Sequence, residues 1–336
     1  MPPLLKRLLL APIPRLIWTF AIAFVLGWLL RRIAPSIMAY PNVVFGGAVR
    51  NAVLILVVFV LGLWLFERRQ APGTNRIEGQ WLGRALPSQA GLAPSRAVPD
   101  TLRGFVIGAA LLTAVTGLLA LAGSYRILGW AELPEGTSRA FLFGKMTLMF
   151  LAVGIFEELL SRGIIFRQLE QAVGTWLAMA VSALLFGLGH RNNPGATWVS
   201  SLAIALEAGA LLAAAYVATR SLWLPIGIHW AWNLFEGPVW GSLVSGNDIG
   251  VLARASFPGP TVLTGGAFGP EAGLPAMVLG TVLGVAIMVV AIRRNQIVTP
   301  QWMYWVAGRI RGQAQDPVAP EPTPAIPPPA VPPPAV

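Results

Sequence analysis

Long runs of apolar residues separated by short polar stretches dominate this chain. A helix needs about 20 apolar residues to cross a bilayer, and we identify eight candidate spans. They lie at residues 16–30, 43–66, 104–123, 140–169, 174–191, 197–218, 222–236 and 274–292. The first is short, but its flanking Arg31 and Arg32 leave no small-residue cleavage site, so we predict a retained anchor. The pattern predicts an all-α polytopic membrane protein with about eight transmembrane helices.

Three other segments lack this pattern. We predict a polar loop at residues 67–102 and a Gly-rich loop at residues 237–273. Aromatic and arginine side chains between Gln301 and Arg311 indicate an interfacial helix, and the Pro-Ala-Val repeats after Asp316 predict an extended tail without a core. We divide the chain into an N-terminal part with its own helices and loop, a central core, a third part with the last span and the interfacial helix, and the tail: 1–139, 140–236, 237–311 and 312–336.

Composition supports a membrane protein, because the chain is 55% hydrophobic and only 11% charged, whereas soluble domains are nearer a quarter charged. The sequence pI is near 11.2, but the basic residues flank apolar runs and form no patch with aromatics. We therefore expect membrane lipids and no nucleic acid as partners. The absence of cysteine excludes disulfides, thiolate nucleophiles and thiolate metal sites. The excess of Arg over Lys, with abundant Ala, Gly and Pro, suggests a bacterial protein of the inner membrane.

The distribution of basic residues predicts the orientation, since Lys and Arg are enriched in cytoplasmic loops. Eight spans place both termini on one side. Under that arrangement 16 basic residues lie on the side of the termini and 6 on the other, while Arg50 and Lys145 fall within spans. We therefore predict that both termini are cytoplasmic.

The fourth span contains three ionisable residues, Glu157, Glu158 and Arg162. Charges inside hydrocarbon cost free energy, so they are rare and usually functional. Residues four apart share a helix face, so Arg162 is expected to neutralise and orient Glu158. Glu157 points about a quarter turn away and is left to face another group. The alternative is a helix end that carries ordinary charges at the membrane surface.

His190 is expected to lie level with this carboxylate pair. Residues 172–174 form a break between two spans; Glu157 lies 16 positions before Val173 and His190 lies 17 after it. At about 1.5 Å per residue, both are roughly 25 Å from the turn of an antiparallel hairpin. A lone histidine in a span is commonly a packing residue, but beside two carboxylates it is a candidate for catalysis. Phe186 shares its face and is expected to pack there.

His229 and Asn233 share a face of the seventh span, which is short and polar. An imidazole and an amide side by side can donate two hydrogen bonds to one oxygen, as a tetrahedral oxyanion requires. The same pair could instead form interhelical hydrogen bonds. His229 lies seven residues into its span, about 10 Å deep. We expect Glu157, His190, His229 and Asn233 to converge on one cavity in the cytoplasmic half of the membrane.

Two further carboxylates lie in or beside the spans. Glu207 is midway along the sixth span and either pairs with Arg50 or Lys145, which we favour, or lines the site. Glu236 ends the seventh span, and we expect it to be solvated.

Three motifs in this order resemble those of the CAAX protease and bacteriocin-processing (CPBP, or Abi) family of intramembrane proteases. The first reads Glu-Glu-x-x-x-Arg, the second Phe-x-x-x-His and the last His-x-x-x-Asn. Here they are Glu157, Glu158 and Arg162; Phe186 and His190; and His229 and Asn233. The resemblance covers roughly residues 140–236 and implies an all-helical membrane fold with the site on a four-helix core.

The resemblance also implies an activity and a role for each residue. The activity is hydrolysis of a peptide bond near the cytoplasmic membrane surface, in a peptide or membrane-protein substrate. Glu157 and His190 would activate water, His229 and Asn233 would stabilise the oxyanion, and Glu158 with Arg162 would support the site. Glu157, His190 and His229 would also form a possible zinc set. A metal-free, glutamate-activated water is the other option, and no His-Glu-x-x-His helix decides between them.

Two other functional classes compete with this one. A non-proteolytic scaffold, such as an immunity or cell-envelope regulator, could use the same fold, and its function would survive Glu157→Ala. A transporter could use buried carboxylates as a proton relay, but it predicts inverted repeats, and we find none in the sequence.

Overall fold

The computed structural model describes residues 13–14, 16–22, 51, 53–57, 91–133, 135–250 and 252–300. The predicted interfacial helix and the Pro-rich tail lie outside the described residues, as do most of the first two predicted spans. Of those two spans, residues 16–22 and 53–57 are helical. The helical bundle described below begins at Gly91.

The described part of the chain is mainly helical. Its α-helices are α1 (Pro94–Leu121), α2 (Arg139–Glu158), α3 (Arg167–Gly189), α4 (Trp198–Ile204), α5 (Leu211–Thr219), α6 (Trp223–Leu234), α7 (Thr261–Thr264) and α8 (Leu274–Arg293). Three π-helical segments continue α2, α4 and α6 without a break: Leu159–Phe166, Ala205–Ala210 and Phe235–Val239. A short 3-10 turn, Pro270–Ala272, precedes α8.

Four helical stretches of the described chain are long and apolar enough to cross a membrane. They are Pro94–Leu121, Arg139–Gly189, Trp198–Thr219 and Leu274–Arg293. The second contains the predicted hairpin turn, because Gly174 has a non-helical backbone (φ 78°, ψ 170°) inside α3. α6 and its π-helical extension are shorter. The chain is an integral membrane protein, while the predicted number of eight spans stays a prediction.

Glycines allow α1 and α6 to pack with their backbones in contact. A Cβ on Gly104 would lie 2.2 Å from the carbonyl oxygen of Leu224, and a Cβ on Gly108 would lie 2.3 Å from that of Ile228. Gly227 faces α1 in return, and a Cβ there would lie 2.2 Å from the carbonyl oxygen of Thr101. Small residues four apart permit such close approach of membrane helices. This contact fixes α6, which carries two of the predicted site residues.

The helix ends form two groups of loops at opposite ends of the bundle. At one end, the turn at Gly174 meets the chain after α8, where Thr175 and Val298 exchange backbone and hydroxyl hydrogen bonds of 3.0 and 2.8 Å. Arg220 pairs with Glu170 at the same end, and Gly91 packs beside Arg220 and Leu222. We call this the turn end.

The opposite end carries the loop between α6 and α8, and we call it the loop end. It contains a two-stranded antiparallel sheet, β1 (Arg126–Trp130) with β2 (Ala253–Ser256). The all-α prediction missed this sheet, which is too short to show a clear period. The predicted loop at residues 67–102 is also wrong beyond residue 93, because α1 begins at Pro94; proline at a first helical position favours a helix start.

Candidate active site

The predicted site residues come from three neighbouring stretches of the bundle. Glu157 and Glu158 end α2, and Arg162 lies in the π-helical segment after it. His190 follows the last residue of α3, and His229 and Asn233 are one turn apart on α6. π-helical segments are rare and often mark functional sites. Each of the three in the described chain adjoins the site.

Glu158 and Arg162 form the predicted ion pair at the base of the site. Arg162 Nη1 donates to Glu158 Oε1 at 2.8 Å, and both side chains are fully buried. Arg162 Nη2 also donates to the carbonyl oxygens of Ala208 and Gly209, at 3.3 and 2.8 Å. This confirms the pairing expected from the four-residue spacing. Arg162 thereby also ties α2 to the π-helical segment of the neighbouring helix.

Both imidazoles turn their Nε2 atoms toward Glu157. Glu157 Oε2 lies 3.7 Å from His190 Nε2 and 3.9 Å from His229 Nε2. His190 Nδ1 is 2.9 Å from the carbonyl oxygen of Phe186, which can only accept, so Nδ1 carries the proton there. His229 Nδ1 likewise donates to Glu158, at 3.0 Å. In each neutral ring the Nε2 lone pair therefore points at the carboxylate of Glu157.

This geometry leaves room for a bound species among Glu157, His190 and His229. A lone pair on each imidazole and an ionised carboxylate repel one another unless a proton, a water molecule or a cation lies among them. Oε2 of Glu157 is buried and has no hydrogen-bond partner among the described residues. The arrangement therefore suits a shared water molecule, whose two protons can be taken up by groups of this kind.

The donor set matches zinc in type, and its spacing is slightly too wide. Zinc binds imidazole nitrogen and carboxylate oxygen at about 2.0–2.2 Å, which separates neighbouring ligand atoms by roughly 3.4 Å. Glu157, His190 and His229 would have to close by a few tenths of an ångström. Within the described residues, no three histidine, aspartate or glutamate side chains stand in position for a metal ion.

Phe186 packs between the charged groups of the site. Its ring is 5.0 Å from that of His190 and 6.0 Å from that of His229. The Arg162 guanidinium lies over the same ring, 4.6 Å from its centre. The predicted packing role is therefore confirmed, and the Phe186 carbonyl also orients His190.

A cavity of about 670 Å³ gives access to this group. Its walls include Glu157, His190, His229 and Asn233, so the structure brings all four into one space as expected. The loop between α6 and α8 completes its walls with Val244, Ser245, Asn247, Asp248 and Ile249. The volume is in the range of ligand-binding clefts and can hold several residues of a peptide.

The cavity belongs to the loop end of the bundle. Asn193, beside His190, donates to the carbonyl oxygen of Ser245 at 3.0 Å, and both residues line the cavity. Residues 91 and 300, which lead toward the two termini, lie at the turn end. Under the predicted eight spans, cytoplasmic termini and a site near the cytoplasmic surface are therefore incompatible. The depth of His229 alone favours a cytoplasmic site. The distance of about 25 Å from the hairpin turn to Glu157 and His190 is most of the thickness of a bilayer core and favours the opposite surface.

Three more carboxylates lie behind the site, and sequence reasoning missed one of them, Glu271. Glu236 is completely buried, so the expectation that it is solvated is wrong; its Oε1 accepts from the backbone N–H of Glu271. Glu271 itself is 2% exposed, and burial raises the pKa of its carboxyl. Glu207 lines a small cavity together with His190, His229 and Glu271. A lone carboxylate in the apolar, Gly- and Pro-rich stretch before α8 was the available signal for Glu271.

The part of the chain that contains these motifs is similar to a known family. Residues 139–235 match the type II CAAX prenyl endopeptidase Rce1-like family. The match confirms the resemblance predicted from the three motifs. It spans Arg139 to Phe235 and so includes every predicted site residue. Comparison with curated proteins and with solved structures gave no significant match.

Proposed function

We propose that the protein is an intramembrane endopeptidase that hydrolyses a peptide bond with water activated by Glu157 and His190. The observation that carries the proposal is the approach of both Nε2 atoms to the orphan Oε2 of Glu157, at 3.7 and 3.9 Å. A water molecule among these three atoms can lose a proton to the carboxylate or to an imidazole as it attacks a carbonyl carbon. The same groups can then return that proton to the leaving amine.

His229 and Asn233 are suited to hold the oxyanion. Nδ1 of His229 is occupied by Glu158, so only Nε2 faces the cavity, and it donates once the ring has gained a proton. The Asn233 amide lines the same cavity one helical turn further on. Two such donors at the developing negative charge lower the barrier to acyl transfer. Arg162 and Glu158 act through His229 by fixing its ring.

If zinc were bound, the metal would activate the water, and the same three side chains would be its ligands. Glu157, His190 and His229 would hold it, and a bound zinc ion makes its water acidic near neutral pH. Elemental analysis of the purified protein, with Glu157→Gln as the matched variant, distinguishes the two forms. A stoichiometric metal lost in the variant supports the zinc form.

We further propose that the substrate is a peptide or membrane-protein segment that enters from the loop end. The family name refers to prenylated CAAX substrates. In this chain the cavity beside Glu157 has Asn193, Ser245 and Asn247 in its walls, and these polar groups suit the backbone of an extended peptide. We retain the orientation given by the basic residues, so the cavity faces the non-cytoplasmic side of a bacterial inner membrane.

Comparative membrane proteomics tests the function even while the substrate is unidentified. Cells carrying the wild type, Glu157→Gln or Glu132→Gln are compared for peptides that accumulate uncleaved. Glu132 is an exposed carboxylate at the loop end and serves as the matched control. Accumulation in Glu157→Gln alone supports proteolysis. If all three strains share one peptide profile while the wild-type gene still has a phenotype, the scaffold function replaces it.

A further inference from the structure

A second, much smaller cavity lies behind the two histidines. It has a volume of about 30 Å³ and shares His190, His229 and Asn233 with the large cavity. Its far wall contains Glu207 and Glu271, neither of which reaches the large cavity. The two histidines thus form a partition with Glu157 on one side and two buried carboxyl groups on the other.

The carboxyl groups of the far wall have oxygen atoms without partners. Glu207 is 1% exposed and Glu271 is 2% exposed. Oε1 of each is buried and makes no hydrogen bond to any described residue. Buried polar atoms are nearly always hydrogen-bonded, to protein or to ordered water. The Glu271 carboxyl is within hydrogen-bonding reach of the Glu236 carboxyl, whereas Oε1 of Glu207 still needs a partner that fits inside the small cavity.

The size and chemistry of the cavity select water as that partner. A cavity needs about 10–15 Å³ to hold one water molecule and two to four polar neighbours to retain it. The small cavity offers room for one or two, with carboxyl, imidazole, amide and hydroxyl groups in its walls. Since no described trio of acidic or histidine side chains is placed for a metal ion, a cation is the poorer fit.

We propose that this cavity is a water-binding subsite, held by Glu207 and Glu271, that supplies the hydrolytic water to the Glu157 side of the histidine pair. The role as a supply rests on the proposed peptidase function. A peptide that fills the large cavity displaces its solvent, and the bilayer blocks replacement from the sides. Water kept behind His190 and His229 is then the nearest source for the next attack on a carbonyl.

Ordered water in a high-resolution experimental structure tests the subsite independently of any activity. The wild type, Glu207→Leu, Glu207→Gln and Thr281→Val are compared, the last being an exposed polar-to-apolar change on α8, outside the cavity. We expect water density beside Glu207 and Glu271 in the wild type, Glu207→Gln and Thr281→Val, and none in Glu207→Leu. A dry wild-type cavity, in a map that shows other buried waters, overturns the proposal. If Glu207→Leu does not fold, the wild type and Glu207→Gln still decide this point.

Hydrolysis kinetics test the supply role. With a substrate peptide found by proteomics, Glu207→Leu should lower kcat at least tenfold with KM and thermal stability unchanged, and Glu207→Gln should restore most of the loss. A purely structural role would lower stability or raise KM instead. Equal kcat in the wild type and Glu207→Leu refutes the supply role. Density for water together with no cleavage by any form rejects the peptidase function and leaves the water site standing.

Discussion

Oε1 of Glu158 lies 3.0 Å from Nδ1 of His229 and is the same oxygen that accepts from Arg162. One fully buried carboxylate oxygen therefore fixes both the ring orientation and the protonated nitrogen of His229. A carboxylate behind a histidine commonly sets its tautomer in this way. Glu158 and Arg162 are thus positioning residues, while Glu157, His190, His229 and Asn233 face the space where a substrate would react.

We expect Glu157→Gln to abolish hydrolysis with little loss of folded protein. Glutamine keeps the shape of the side chain but cannot take a proton from water, and loss of a general base typically costs about 10²–10⁴-fold in rate. Stability should be equal or slightly higher, because the buried Oε2 has no described partner to lose. Detergent-solubilised yield, thermal unfolding and cleavage are measured together. Retained activity would remove Glu157 from the catalytic group.

Arg162→Ala should reduce both stability and activity. The substitution leaves Glu158 as an uncompensated buried charge, and breaking such a pair costs about 3–5 kcal/mol. Thermal unfolding of the purified variant measures the loss, with Arg126→Ala, an exposed arginine of β1, as the control. The double variant Glu158→Leu with Arg162→Leu should recover much of the stability, because no charge is left unpaired, yet stay inactive because His229 loses its acceptor. If Arg162→Ala is as stable as the wild type, the Glu158–Arg162 ion pair does not contribute to the stability of the fold.

Gly108→Ala should destabilise the protein, whereas Gly117→Ala on the same helix should not. A Cβ at position 108 would lie 2.3 Å from the carbonyl oxygen of Ile228, while position 117 faces open space. Overpacking a close contact costs about 1–3 kcal/mol, and here the clash is with backbone next to His229. Thermal unfolding and cleavage of both variants are compared. Equal unfolding temperatures would mean that α1 and α6 pack less closely than the structure shows.

The sequence predicts the centre of this site because the geometry of a helix is fixed. Because the rise per residue is constant, Glu157 and His190 lie at the same depth on either side of the break at Gly174. A four-residue spacing is enough to pair Glu158 with Arg162. These are local rules that act within one helix or one hairpin. The four-residue rule holds in the structure because Arg162 stays on the helix face of Glu158 even within the π-helical segment.

What the sequence does not predict is set by contacts between distant segments. The loop between α6 and α8 folds back over the site, where Gly246 donates to the carbonyl oxygen of Phe268 at 2.7 Å. It carries Glu271 next to Glu236, and no periodic pattern encodes that approach. Glu236 looks solvated at the end of a short span, yet the returning loop covers it. The sheet of β1 and β2 likewise forms between segments more than 120 residues apart.

Single introduced cysteines should show that the loop end, with the site, faces away from the cytoplasm. The chain contains no cysteine, so each substitution gives one thiol. Glu135→Cys lies at the loop end and Thr299→Cys at the turn end, and both positions are exposed. Because 15 basic residues against 6, with the buried Arg162 left out, favour cytoplasmic termini, a membrane-impermeant thiol reagent should label Glu135→Cys in intact cells and Thr299→Cys only after permeabilisation. The reverse pattern would place the site at the cytoplasmic surface and both flanking segments outside. Labelling of the two positions from the same side would contradict their placement at opposed ends of the bundle.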